Sequence, residues 1–251
     1  MCGLVGLASP VGTRVCVEPR TLEAMRDRLA HRGPDGAGLW QADHVVVGHR
    51  RLAVVAPGPG GHQPMQSADG RHILVYNGEL YNDPDLRTEL GATQAWEPGH
   101  EHPADSDART VLRVLAASAD LPEPSAALTK LRGMYALAWY DRQRQQLTLA
   151  RDPLGIKPLY LWRGLSPDGT AHVAFASEIP ALLALPMVPA RPDWATISAY
   201  VTTIRTTLGS RTLLDGITTL LPGEWVTLDL GRRPAPGGLV RERRGTTPLP
   251  R

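Results

Sequence analysis

Two apolar runs, residues 134–140 and 146–151, flank the polar tetrad Asp141-Arg142-Gln143-Arg144, and this pattern predicts a β-hairpin. Residues 159–163 and 172–176 bracket Pro167-Asp168-Gly169 in the same way. Residues 3–8, 44–49, 71–76 and 224–230 read as further short strands, separated by turn-rich stretches such as Ala56-Pro57-Gly58-Pro59-Gly60-Gly61. Helical spacing is confined to short segments. One is 19–30, with Leu22, Met25 and Leu29 on one face; the others are 84–90, 107–117, 178–185 and 193–204. Strand pairs without long helical crossovers favour an α+β fold over a doubly wound parallel sheet. Residues 2–230 read as the folded unit. Residues 231–251, rich in Arg, Pro and Gly, read as a flexible tail or a truncated connection to a further domain.

Composition narrows the function classes. With 42% hydrophobic and 21% charged residues in 251, the chain lies in the globular range. Its 27 basic and 25 acidic residues leave a net charge of +2, which argues against a nucleic-acid scaffold. No apolar run approaches the ~18 residues of a membrane helix. The apolar start Met1-Cys2-Gly3-Leu4-Val5-Gly6-Leu7 lacks the basic region of a secretory signal. Two cysteines, Cys2 and Cys16, make no disulfide framework, and a reducing cytoplasm is expected. His100-Glu101-His102 has no further ligands nearby in the sequence, so no metal site is expected.

Cys2 carries the most chemical information. Removal of the initiator methionine would make it the N-terminal residue, with a thiol and a free α-amine together. That amine has a reference pKa of about 7.7–8.0, so it can accept the thiol proton near neutral pH. On position alone, Cys2 reads equally as a small apolar residue of the first strand.

The motifs around it change the balance. They begin with Cys2-Gly3-Leu4-Val5-Gly6, His31-Arg32-Gly33-Pro34-Asp35-Gly36 and His49-Arg50-Arg51-Leu52-Ala53-Val54-Val55. Gly61-His62-Gln63-Pro64-Met65, Tyr76-Asn77-Gly78-Glu79-Leu80-Tyr81-Asn82 and Ser106-Asp107 follow. The series runs on through Gly133-Met134-Tyr135-Ala136, Arg151-Asp152-Pro153-Leu154-Gly155-Ile156-Lys157-Pro158, Ala176-Ser177-Glu178-Ile179 and Leu221-Pro222-Gly223-Glu224. In this order the chain resembles the class II, N-terminal-nucleophile glutamine amidotransferase domain, particularly that of the glutamine-hydrolysing asparagine synthetases. The resemblance implies a four-layer αββα sandwich of two mainly antiparallel sheets.

It also implies roles. Cys2 would attack the side-chain amide of L-glutamine, while Asn77 and the Gly78 N–H would hold the oxyanion. Arg51 would bind the substrate α-carboxylate and Asp107 the α-ammonium, with Val54, Val55, Asn77 and Glu79 completing the pocket. The glutaminase half-reaction would need no cofactor. ATP and Mg belong to a synthetase domain or subunit, whose Ser-Gly-Gly-x-Asp-Ser type loop does not occur here. The local readings stand beside these: Asn77-Gly78 is a strong hairpin-turn dipeptide. Arg51 alone is a strand-end charge, and Asp107 alone is a helix N-terminal acid. Arg151, Asp152 and Lys157 read as a structural ion-pair turn. Arg109 stands where the family commonly has an acid, and residues 93–105 depart from its pattern, which leaves Asp105 as a second ammonium-site candidate. Two other function classes remain: a non-catalytic module that shapes a synthetase site, and a cysteine amidohydrolase acting on other amides.

Overall fold

A computed structural model of the chain describes all residues except 14, 16, 55, 94–105, 122, 205–207, 236 and 249–251. The period-two runs form two six-stranded sheets. In the first, β1 (Gly3–Ala8) lies between β3 (Val45–Arg51) and β9 (Ala171–Ala176). Its outer strands are β2 (Gly36–Gln41) beyond β3, then β8 (Tyr160–Leu165) and β10 (Ile217–Thr219) beyond β9. The second sheet runs β12 (Arg241–Thr246), β11 (Glu224–Asp229), β7 (Gln146–Arg151), β6 (Gly133–Asp141), β5 (His72–Leu80), β4 (Met65–Gln66). Every pairing among these strands is antiparallel.

Alternation along each strand sorts the side chains into layers. Leu4, Val47, Val75, Ala138, Leu149 and Phe175 meet in the core between the sheets. Their sequence neighbours Val5 and Val46 face outward onto Leu22, Met25 and Leu29 of α1 (Pro19–Asp27) and its C-terminal turn, and onto Leu182 of α5 (Ile179–Leu182). On the other side, Leu74, Tyr76 and Leu137 pack on Leu86 of α2 (Asp83–Thr93), Val111 and Leu115 of α3 (Asp107–Ala117), and Leu128 of α4 (Ser125–Leu128). Each such fully buried side chain contributes roughly 1.5–3 kcal/mol. The layers are therefore helix, sheet, sheet, helix, the αββα sandwich expected. A sixth helix, α6 (Trp194–Thr203), begins where the Asp193 carboxylate accepts the Thr196 N–H. No helix among the described residues is long and apolar enough to cross a membrane.

Three local expectations change. Asn77-Gly78 is no turn: both lie inside β5, where Asn77 pairs with Ala136 and Gly78 with Tyr135. The turn-rich stretch after α1 opens directly into β2, an edge strand whose Gly36 and Gly38 mask its signal. Residues 241–246, expected within a flexible tail, form β12 instead, so β11 is not the last strand. That strand pairs with β11 along its whole length, and Arg244 bridges Glu224 and Glu242 at 2.6 and 2.7 Å.

Candidate active site

Cys2 sits where the chain enters β1, and alternation puts it on the Leu4 side, between the sheets. Several of the motifs converge to hold it. Arg32 donates from Nε to the Cys2 carbonyl at 3.0 Å and is itself paired to Glu178 at 2.8 Å. The Leu4 N–H donates to Ser177 Oγ at 3.0 Å, and the Ser177 N–H returns to the Leu4 carbonyl at 2.9 Å. Arg50 reaches the Gly33 carbonyl at 3.0 Å. Residues 31–36, 49–52 and 176–179 are thus the mount of the chain terminus.

The half-buried thiol lies against the main chain of Leu52. It donates to the Leu52 carbonyl at 3.6 Å and accepts the Leu52 N–H at 3.4 Å. Burial pushes its pKa up from 9.0; the Leu52 N–H, the terminal ammonium and Arg51 pull it down, and Asp107 adds to the rise. The net rise keeps the thiol protonated at neutral pH, so a nucleophile here requires a base. No histidine contacts it among the described residues. His49 is spent on the fold: its Nε2 donates to the Tyr76 carbonyl at 3.2 Å, and burial lowers its pKa from 6.5 to about 3.

That depression has a stability consequence. The unfolded chain binds a proton at this position below pH 6.5, whereas the folded chain binds it only near pH 3. Stability therefore falls as pH drops through this window, by up to about 1.4 kcal/mol per pH unit from this group. Denaturant titrations at pH 7, 6, 5 and 4 should give a shallower pH slope for His49→Gln than for wild type. Equal slopes would remove His49 as the cause.

The other predicted residues gather at the same end of the sandwich. Arg51 ends β3, buried, with its guanidinium donating to the carbonyls of Gly58 at 2.9 Å and Ala56. Gly61 makes room for it, since a Cβ there would lie 2.0 Å from Nη2. Asp107 is the first residue of α3, after the N-cap Ser106, so its reading as a helix N-terminal acid is correct. Yet its carboxylate also turns to β5, where it accepts the Leu80 N–H at 2.9 Å and the Tyr76 hydroxyl at 3.4 Å. Burial pushes its pKa up, against the Leu80 N–H, the Ser106 hydroxyl and the Ala108 N–H, which lower it.

Asn77 is buried on the inner face of β5, and its Nδ2 has no hydrogen-bond partner among the described residues. At Gly78 a Cβ would lie 2.5 Å from the Met134 carbonyl, so only glycine fits beside that amide. Glu79 is half-buried; burial raises its pKa, Asp107 raises it further and Lys157 lowers it. Val54 lies in the turn after β3 and is exposed. Val55, Asp105, Cys16, His100 and His102 lie outside the described residues. Among those described, no group of three or more metal-binding side chains occurs.

The turn after β7 is held differently from expectation. The Asp152 carboxylate accepts backbone N–H groups from Tyr135, Leu154, Ile156 and Lys157 at 2.9–3.2 Å. Arg151 donates to the carbonyls of Gly155, Lys157 and Leu220. Main-chain groups, not ion pairs, close this turn. Motif residues with no role assigned from sequence also hold the site: Arg32, Arg50, Ser177 and Glu178 at the terminus, and Gln63 at β5. Gln63 bonds both the N–H and the carbonyl of Tyr76, at 2.6 and 3.1 Å, and so fixes β5 just before Asn77. A long polar side chain inside a Gly/Pro-rich stretch was the available signal.

Comparison with known proteins agrees with this assembly. Residues 1–235 match the family model described as a glutamine amidotransferase domain. Asparagine synthetase [glutamine-hydrolyzing] 3 of Bacillus subtilis is 37% identical over 195 residues, covering 77% of this chain and 29% of that protein. Asparagine synthetase B [glutamine-hydrolyzing] of Escherichia coli is 34% identical over 183 residues, covering 73% and 30%. The chain thus spans under a third of the length of these relatives. Among solved structures, glutamine phosphoribosylpyrophosphate amidotransferase from B. subtilis superposes on 99% of this chain and 50% of its own, with a TM-score of 0.64 at 18% identity. That likeness is one of fold. With nearly the whole chain inside one family model, and the sandwich and the motif residues in place, this chain belongs to the glutamine amidotransferase domain family.

Proposed function

We propose that this chain hydrolyses L-glutamine to glutamate and ammonia, with Cys2 as an N-terminal nucleophile once Met1 is removed. One observation carries the reading: the Cys2 thiol lies within electrostatic reach of both a buried cation, Arg51, and a buried anion, Asp107. An α-amino acid offers the complementary pair, a carboxylate for Arg51 and an ammonium for Asp107. Its side-chain amide can then reach the sulfur.

The chemistry follows from the groups available. The α-amine of Cys2 takes the thiol proton, and sulfur attacks the amide carbon. The Asn77 side-chain amide and the Gly78 N–H would stabilise the oxyanion. The C–N bond breaks, the ammonium returns its proton to the leaving nitrogen, and ammonia departs from a glutamyl thioester. Water, deprotonated by the same amine, releases glutamate. This half-reaction needs no cofactor. The ammonia would serve an ATP-dependent, asparagine-synthetase-like partner, on a separate domain or subunit, that activates a carboxylate with ATP and Mg.

Two variants test the roles. Asn77→Ala should lower kcat by roughly 10²–10³-fold with little change in glutamine KM, because the oxyanion exists only after attack. An unchanged kcat moves the oxyanion site elsewhere. Arg51→Ala should instead raise KM about 10–100-fold, since a charged hydrogen bond contributes roughly 1.5–3 kcal/mol. An unchanged KM would place the carboxylate against another residue.

A further inference from the structure

Lys157 is one of two lysines in the chain, and it is only 6% exposed. Its backbone is rooted by the Asp152 carboxylate and by Arg151 on its own carbonyl, at 3.0 and 2.7 Å. The ammonium is placed quite differently. Among the described residues its one hydrogen-bond partner is the sulfur of Met1, at 3.4 Å, and no carboxylate oxygen lies within 4 Å. A thioether is a weak acceptor, so a buried ammonium against it is a costly arrangement in structural terms alone. Its position gains meaning at the chain terminus. Met1 is the residue whose removal the proposed function requires; it is bonded directly to Cys2, and its loss takes away the ammonium's one hydrogen-bond partner among the described residues.

We propose that Lys157 is a positioning residue for the proton acceptor: its buried positive charge keeps the Cys2 α-amine in the free-base form. The proposal rests on the N-terminal-nucleophile reading. In the reaction the amine takes the proton of the thiol and becomes an ammonium beside a second one. That proximity drives the proton onward to the leaving amide nitrogen as the C–N bond breaks.

The other charges around the terminus are accounted for. From β3, Arg51 acts with the same sign, but it is clamped onto the carbonyls of Ala56 and Gly58. Arg32, on the Cys2 carbonyl, is neutralised by Glu178, which His31 also contacts. From α3 and β5, Asp107 and Glu79 oppose Lys157, and Glu79 is the carboxylate whose ionisation Lys157 favours. Asp35 accepts the Ala53 N–H, and Asp152 is engaged by backbone N–H groups.

The test uses the full, Met1-free chain with Lys157→Met, Lys157→Gln and Lys157→Arg. One like charge at short range shifts a titration by about one pH unit. The acid limb of kcat/KM for glutamine should therefore move up by about one pH unit in the two neutral variants, returning near wild-type rates at high pH. Lys157→Arg should keep the wild-type limb. Alkylation of Cys2 by iodoacetamide, read by mass spectrometry, should shift in the same direction without needing turnover. An unmoved limb and alkylation profile in both neutral variants, or a loss equal at every pH, overturns the role. A wild-type chain that alkylates at Cys2 but releases no ammonia contradicts the proposed function instead, and the alkylation profiles still decide whether Lys157 acts on the terminus.

Discussion

Cys2→Ala is expected to cut glutamine hydrolysis by roughly 10⁴-fold or more while leaving the fold in place. The loss is large because every later step depends on the thioester, and no other described group can form it. The fold survives because, among the described residues, the sulfur's hydrogen bonds go to the Leu52 main chain alone, at 3.4 and 3.6 Å, while β1 begins at Gly3. Pairing of Gly3–Ala8 with β3 and of Val5–Ala8 with β9 is untouched by the change. Circular dichroism and Tm close to wild type, with turnover at background, are the expected pair of readings. Wild-type turnover in this variant would falsify the nucleophile assignment.

The second large effect concerns the terminus. An N-terminal extension that is not cleaved converts the Cys2 amine into an amide without useful basicity. Burial already holds the thiol protonated, and no histidine contacts it among the described residues. Activity should therefore drop by the ~10²–10⁴-fold typical of acid–base assistance. A C-terminal extension leaves the amine free and is the control. Mass spectrometry of the active chain should find Met1 absent. An intact N-terminal extension with full activity would mean that another group takes the proton.

Much of this is legible in the sequence because the strands are short apolar or alternating runs bounded by turn residues. Residues 3–8 and 146–151 were read with the bounds later found, as was helix 107–117, whose Ser106 cap precedes an apolar face of Val111, Val114 and Leu115. What escaped depends on partners distant in sequence. Asn77-Gly78 has strong local turn chemistry, but pairing along the whole of β6 overrides it. Strand β12 is mostly charged and carries no apolar alternation. It exists because β11 offers an edge and because Arg163, Glu224 and Glu242 form ion pairs along it. The ion-pair reading of Arg151, Asp152 and Lys157 failed because adjacent charges in a sequence say nothing about main-chain acceptors. Asp152 satisfies four N–H groups instead, and this frees the Lys157 ammonium to reach the terminus.

The candidate site residues could be named from motifs, but not the architecture that gathers them. Cys2, Arg51, Asn77, Gly78 and Asp107 were identified by motif, whereas the reason for each surrounding motif emerged only in three dimensions. His31-Arg32 and Ser177-Glu178 are far apart in the chain, yet together they hold Cys2 and Leu4. His49, a motif residue with no role assigned from sequence, is a neutral tie to β5.

The most direct test of the central claim is to incubate the purified, untagged, Met1-free chain with L-glutamine and follow both products. The account predicts glutamate and ammonia in equal amounts, without ATP or added metal, and with no turnover by Cys2→Ala. No release of either product, or equal release by wild type and Cys2→Ala, would contradict it.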